Sequence, residues 1–312
     1  MNRLLSILIL FTIPALISLS WLLGGSLVHK INPLSLSIMR FAVGSIVLIF
    51  FTDIKNFIRN NSKVQLINWF LTQLILAISG RALYAYFSSS SLLSITPFEA
   101  VLISTSLPVL LIVLERFIFK NKFKNLFTPI LSILSFATVL ASIINYNSNK
   151  NFDLNRLSVG HFEMLIAMLF YAVHLIFYKK QVKDKSPANP LFIQFVIAFV
   201  LLFPFNIECY NSFYSLNFND WFKFFTYSIV CNLLPFVLVH YCLKIYSSFT
   251  VGAVAILSPV CSFIFSTFYE QKSFDVRFVL LSILACLFTF FTVLTDQKSS
   301  FSKINFFVRN QK

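Results

Sequence analysis

The stretches LLSITPFEAVLISTSLPV (residues 92–109) and LKIYSSFTVGAVAILSPV (residues 243–260) decide how this chain is read. Slid by 151 residues, the first falls on the second: Leu92 meets Leu243, Thr96 meets Ser247, Phe98 meets Phe249, and Pro108-Val109 meets Pro259-Val260. Each stretch joins the end of a long apolar run to a short polar break and then to an apolar run holding a proline. Self-similarity at one fixed offset marks an internal repeat. The sequence outside these stretches must therefore divide into two comparable halves.

Composition says what those halves are made of. Of 312 residues, 58% are apolar and only 12% charged, and the mean hydropathy is +0.81. A water-soluble domain carries roughly twice that share of charge, about 25%. A soluble enzyme, a nucleic-acid-binding domain and a disordered chain are all excluded. A membrane-spanning helix needs roughly 20 mostly apolar residues, and ten such runs follow: 4–28, 33–52, 66–91, 97–119, 126–145, 159–178, 190–206, 221–243, 249–269 and 275–295. Pro33, Pro97 and Pro190 each open a run, where a missing N–H costs nothing. The first run is too long for a cleaved signal peptide and is read as retained. The 40 phenylalanines and 6 glycines fit an AT-rich genome as well as any function.

The net charge of +14 has a topological cause. With the N-terminus in the cytoplasm, seventeen of the 25 Lys and Arg residues fall inside and six outside, while Arg40 and Arg81 remain within spans. This follows the positive-inside rule, so nucleic acid is not an expected partner. Five spans per half is an odd number, so the second half enters the membrane inverted. The fold class is thus all-α and integral to the membrane, with ten transmembrane helices as two inverted five-helix repeats. Residues 1–145 form the first repeat, 159–295 the second and 296–312 a basic tail, both termini being cytoplasmic. Inverted repeats place a substrate site at their interface near the midplane.

Several segments are similar to those of one family. Ser20-Trp21 with Gly24-Gly25 resembles its opening helix. Pro33 followed seven residues on by Arg40-Phe41 resembles its second, and Ala85-Tyr86-Phe87 through Pro97-Phe98-Glu99-Ala100 to Pro108 its third and fourth. Tyr171-Ala172-Val173 and the block from Leu243 through Ser258-Pro259-Val260 to Glu270 resemble the corresponding parts of its second repeat. The family is that of EamA-type transporters in the drug/metabolite transporter superfamily. The resemblance implies a ten-helix carrier in a bacterial cytoplasmic (inner) membrane, with a homodimer possible. It also implies a structural or gating role for Arg40. Departures are present: Asn121 and Lys122 stand where an acidic residue is expected, and Thr128-Pro129 and Ala285-Cys286 replace glycines.

Ionisable groups in hydrocarbon cost several kcal/mol unless they find a partner or a cavity. Arg81 lies about 15 Å below the outer surface by helical rise, too deep to snorkel, and its repeat equivalent is Asn232. Both are candidate substrate ligands, Arg81 for an anionic oxygen and Asn232 for an amide or base edge. Arg40, about 10 Å deep, is shallow enough to reach the interface. Trp21, Tyr84, Tyr86 and Tyr241 are candidate walls for a flat substrate. His174 and His240 are candidate proton carriers. Glu99 is either a helix cap at the outer surface or a proton-binding gate. Pro108 and Pro259 free backbone carbonyls on faces of small residues and are candidate hinges. No Cys or His has metal-ligand spacing, and neither metal nor cofactor is expected. The five cysteines read as small hydrophobes.

These features point to a secondary transporter moving a small polar or amphipathic metabolite by alternating access. Amino acids, purines and S-adenosylmethionine-like compounds are the open classes. Arg81 ahead of Tyr84–Tyr86 is similar to the third helix of a subgroup that takes up S-adenosylmethionine. No GxxxxGK[ST] motif is present for ATP. A lipid flippase of the same architecture is the alternative. An intramembrane lipid-modifying enzyme is a weaker one, since Asp153, Glu208, Asp220, Glu270 and Asp275 show no catalytic spacing.

Overall fold

The computed structural model describes residues 3–59, 62–118, 158–181, 188–207, 210–270 and 286–294, with isolated helical positions at 130–131, 133–134, 137, 280 and 283–284. These residues form helices and no strands. The first half holds α1 (Arg3–Val28), α2 (Pro33–Ile49), α3 (Lys63–Ser91) and α4 (Pro97–Arg116). The second holds α5 (Val159–Gln181), α6 (Ala188–Leu202), α7 (Phe218–Ile245) and α8 (Ser248–Phe265). Seven helices are long and apolar enough to cross a membrane, and α2 is a shorter apolar one. These eight match eight of the ten expected spans. Most of the span expected at 126–145 lies outside the described residues, and that at 275–295 is described only at 280, 283–284 and 286–294.

Helix starts follow the local chemistry. Asn32 accepts from the Leu34 N–H at 2.9 Å just before Pro33, which occupies the first turn of α2. Ser62 with Gln65 and Thr96 with Glu99 close capping boxes at α3 and α4. Ser247, 151 residues beyond Thr96, caps α8 by accepting from the Thr250 N–H at 3.1 Å. The repeat is also visible in the helix defects. A wide π-type stretch interrupts α3 at Ile78–Leu83 and α7 at Thr226–Leu233. Helix α4 tightens at Thr105-Ser106, where both N–H groups bond three residues back, and α8 tightens at Ala255–Leu257. Both breaks sit immediately before the repeat-related prolines, whose rings clash with a continuing α-turn.

Packing obeys a pseudo-two-fold. Helix α1 lies against α7 and α8, and its counterpart α5 lies against α3 and α4. Helices α2 and α6 pack on each other, as do α4 and α8. Close approach depends on glycines at specific crossings. A Cβ on Gly44 of α2 would stand 2.4 Å from the Phe195 ring of α6, and one on Gly252 of α8 would stand 2.3 Å from Leu111 of α4. Small residues at such crossings let helices interlock where lipid supplies no hydrophobic drive. Phe195 is itself buried and edge-on to Phe41, with centroids 5.3 Å apart, so its ring has little room to retreat.

Gly44→Ala is expected to destabilise by about 1–3 kcal/mol, the usual range for overpacking. Its thermal midpoint in detergent should fall clearly further than that of Gly24→Ala, whose Cβ would meet only the Tyr227 ring edge at 3.2 Å. Equal midpoints for the two variants would contradict the α2–α6 contact.

Candidate functional site

A cavity of about 40 Å³ opens between the two repeats. Helix α1 contributes Ser20 and Trp21, α2 contributes Arg40, α3 contributes Tyr84 and Ser88, α5 contributes Tyr171, and α7 contributes Tyr227, Cys231, Asn232 and Phe236. Polar and aromatic groups alternate around it. At that volume the cavity is narrower than a metabolite in this conformation. Binding a substrate requires the walls to part.

Arg40 is the charged group of the wall. Its Nη1 donates to the Tyr227 hydroxyl at 2.7 Å and to Asn232 Oδ1 at 3.2 Å. Its guanidinium carbon lies 5.2 Å from the Phe41 ring centroid and 5.8 Å from that of Tyr227. Asn232 in turn donates from Nδ2 to the Tyr227 carbonyl at 3.2 Å and to Ser20 Oγ at 3.4 Å. The amide is thereby committed to holding Arg40. Residue depth alone suggested that Arg40 reaches the membrane surface. Instead it is 4% exposed and turns inward, because partners on α7 stand closer than the interface.

Arg81 occupies a separate layer. It is fully buried, with its guanidinium carbon 3.8 Å above the centroid of Phe236, whose ring also lines the cavity. Its Nη2 contacts His240 Nε2 at 3.2 Å. His240 Nδ1 lies 2.6 Å from the Phe236 carbonyl and must donate there, so Nε2 offers Arg81 a lone pair. His174 sits beside this pair, its ring centroid 5.5 Å from that of His240 and its Nδ1 bonded to the Leu76 carbonyl at 3.1 Å. Tyr178 packs edge-on against His240 at 3.8 Å. A Cβ on Gly80, the neighbour of Arg81, would strike the His174 ring at 2.1 Å, so a glycine is required there. Both histidines are fully buried and neither lines the cavity.

The candidates thus divide. Trp21, Tyr84 and Asn232 line the cavity. Arg81, His174 and His240 form a cluster behind Phe236. Tyr86 points outward at 40% exposure, and Tyr241 lies off the cavity wall. Tyr86 therefore belongs elsewhere, since residues two apart on a helix, as Tyr84 and Tyr86 are, point to nearly opposite faces. Glu99 is engaged in its cap, accepting from the Thr96 N–H at 2.7 Å and hydroxyl at 2.9 Å. Pro108 and Pro259 are buried next to the helix breaks. Sequence reasoning missed Tyr227 and Tyr171. The available signal for the first was its place one helical turn before Cys231-Asn232.

A helical bundle with polar groups gathered at its centre defines a multi-pass membrane protein, and the comparisons give its kind. The profile of the EamA-like transporter family matches residues 4–144 and 158–294, one match in each half. The chain belongs to that family. A search of curated proteins finds no match. A solved structure described as "Crystal structure of protein" is similar over 94% of this chain and 97% of its own, with a TM-score of 0.68 and 16% identity. That likeness shows the fold alone.

Arg81→Met should leave the thermal midpoint unchanged or raise it, because an apolar side chain of similar length replaces a buried charge without a carboxylate partner among the described residues. Arg81→Ala should lower stability by roughly 2–4 kcal/mol through the void it leaves. A large loss in Arg81→Met, measured by thermal unfolding in detergent, would show that the guanidinium is a structural requirement.

Proposed function

We propose that this protein is a secondary transporter that carries a small polar or amphipathic metabolite across a bacterial cytoplasmic membrane by alternating access. An amino acid, a purine and an S-adenosylmethionine-like compound are the candidate substrate classes. The observation that carries the reading is the polar and aromatic cavity walled by both repeats, in a chain of the EamA-like transporter family. Such a cavity opens to one side when one repeat rocks against the other. Phe236 forms the floor, with Arg81 behind its ring. Helix breaks before Pro108 and Pro259 provide the points of flexure, since α4 and α8 cross at these segments and lack regular turns there. The cycle draws on a proton gradient or on exchange with another solute. His240 fits a proton-carrying role, because a proton reaches its Nε2 only when Arg81 lets go.

The flippase alternative draws on a lateral groove of about 370 Å³ between α2 and α7. Its lining, from Val47 and Phe51 to Leu233 and Val237, is apolar throughout. A lipid headgroup entering there meets no hydrogen-bonding partner, so the transporter of small solutes is the better reading.

Purified protein in sealed liposomes preloaded with unlabelled amino acids, purines or S-adenosylmethionine should accumulate the matching labelled compound by counterflow and return it chemically unchanged. Exchange of none of them, or recovery of a modified product, would contradict the proposal. Once a substrate is in hand, Pro259→Ala is expected to slow exchange severalfold with half-saturation within about twofold, as conformational gating changes rate more than contacts.

A further inference from the structure

The cavity is rich in donors that have nothing to donate to. Arg40 uses only Nη1; its Nε and Nη2 are buried and have no hydrogen-bond partner. Trp21 Nε1, on the facing helix, is likewise buried and unpartnered. All three groups belong to residues that line the same cavity, and no carboxylate side chain lines it. A guanidinium with two unmatched N–H groups in a membrane interior is costly, and the cost is removed by an oxygen acceptor. Nε and Nη2 form the side-on edge of the guanidinium, with parallel N–H vectors spaced for the two oxygens of a carboxylate or phosphate. Tyr227 and Asn232 hold the opposite corner, which fixes the plane of this fork. Behind the cavity floor, Arg81 adds a second cation across the Phe236 ring, and neither arginine makes an ion pair among the described residues.

We infer that the transported solute carries an oxyanion, which the Nε/Nη2 edge of Arg40 and the indole N–H of Trp21 receive. This rests on the transporter reading and narrows it: amino acids and other carboxylates or phosphates fit, while a neutral purine does not. The assignment also moves the recognition of charge from Arg81, in the buried layer, to Arg40 in the wall. Lysine at position 40 keeps the charge and loses the fork, so it is not a substitute.

The test uses the purified full chain in detergent and paired probes that differ in charge: L-amino acids against their amides, and nucleoside monophosphates against their nucleosides. Thermal stabilisation is expected from the anionic member of at least one pair and not from its neutral partner. The pair that responds distinguishes a carboxylate from a phosphate. Arg40→Lys and Trp21→Phe should each weaken that binding, by about ten- to a hundredfold for the former and less for the latter. Trp21→Phe removes the indole N–H with two ring carbons while keeping an aromatic wall, and as a variant away from position 40 it guards against a folding artefact there. Equal binding of neutral partners, no binding by any anion, or full affinity in both variants overturns the inference. A protein that exchanges a neutral solute in liposomes keeps the transporter reading and loses this one. A protein that binds the anion through Arg40 yet never exchanges it does the reverse.

Discussion

Hydrocarbon offers polar side chains no partner, and in this fold the partners come from the opposite repeat. Arg40 of the first half bonds to Tyr227 and Asn232 of the second. Arg81 meets His240, Gln194 donates to Gln73 at 2.8 Å, and His174 reaches the Leu76 carbonyl. Ser6 meets the Tyr246 hydroxyl at 2.9 Å, and Ser18 reaches the Ser258 carbonyl at 2.6 Å. Ser248 donates to Glu115 across the same seam. Outside the bilayer, Lys30 and Asp220 add an ion pair at 2.8 Å between the halves. Other buried hydroxyls, such as Ser37, Ser104 and Thr105, bond within their own repeat, while these longer-range pairs gather on the surface where the two repeats touch. A cavity at that surface inherits its polarity.

Such a seam can be remade, which a packed apolar core cannot. Apolar crossings such as Gly44 on Phe195 are specific in shape and resist sliding. Hydrogen bonds across a seam exchange for water at modest net cost, which suits the proposed opening to either side. The helix irregularities lie at matching places in both halves, in α3 and α7 beside the cavity and in α4 and α8 before the prolines. π-type turns often mark functional positions because they redirect side chains without ending the helix. Here they lie beside Arg81 and Asn232 in chain order, which ties the repeat, the cavity and the buried cluster to one geometric device.

The helical membrane class and the two repeats were legible because apolar runs of fixed length and the 151-residue self-match act along the chain. Capping at Thr96 and Ser247 was readable for the same reason. The site was half legible. Trp21, Tyr84 and Asn232 could be found as polar or amphipathic groups in mid-span, yet Tyr86 shares that description and faces outward. Position along a helix is readable from the sequence, but rotation about its axis is not, and rotation decides which of Arg40 and Arg81 meets the cavity. Arg40 lies on a helical face with Ser37, Phe41 and Gly44, all buried, so the pattern held a clue that the depth argument overrode. The role of Phe236 as the partition between two cationic layers depends on a contact between α3 and α7, which no pattern within either helix encodes.

The central claim is that the cavity between the repeats opens in turn to each side of the membrane. Cys231 is a native reporter, since it lines that cavity and is 2% exposed. With Cys209, Cys242, Cys261 and Cys286 replaced by serine, a membrane-impermeant thiol reagent should modify Cys231 when added to either face of oriented sealed vesicles. Modification from one face only, whatever the solute gradient, would contradict alternating access at this site.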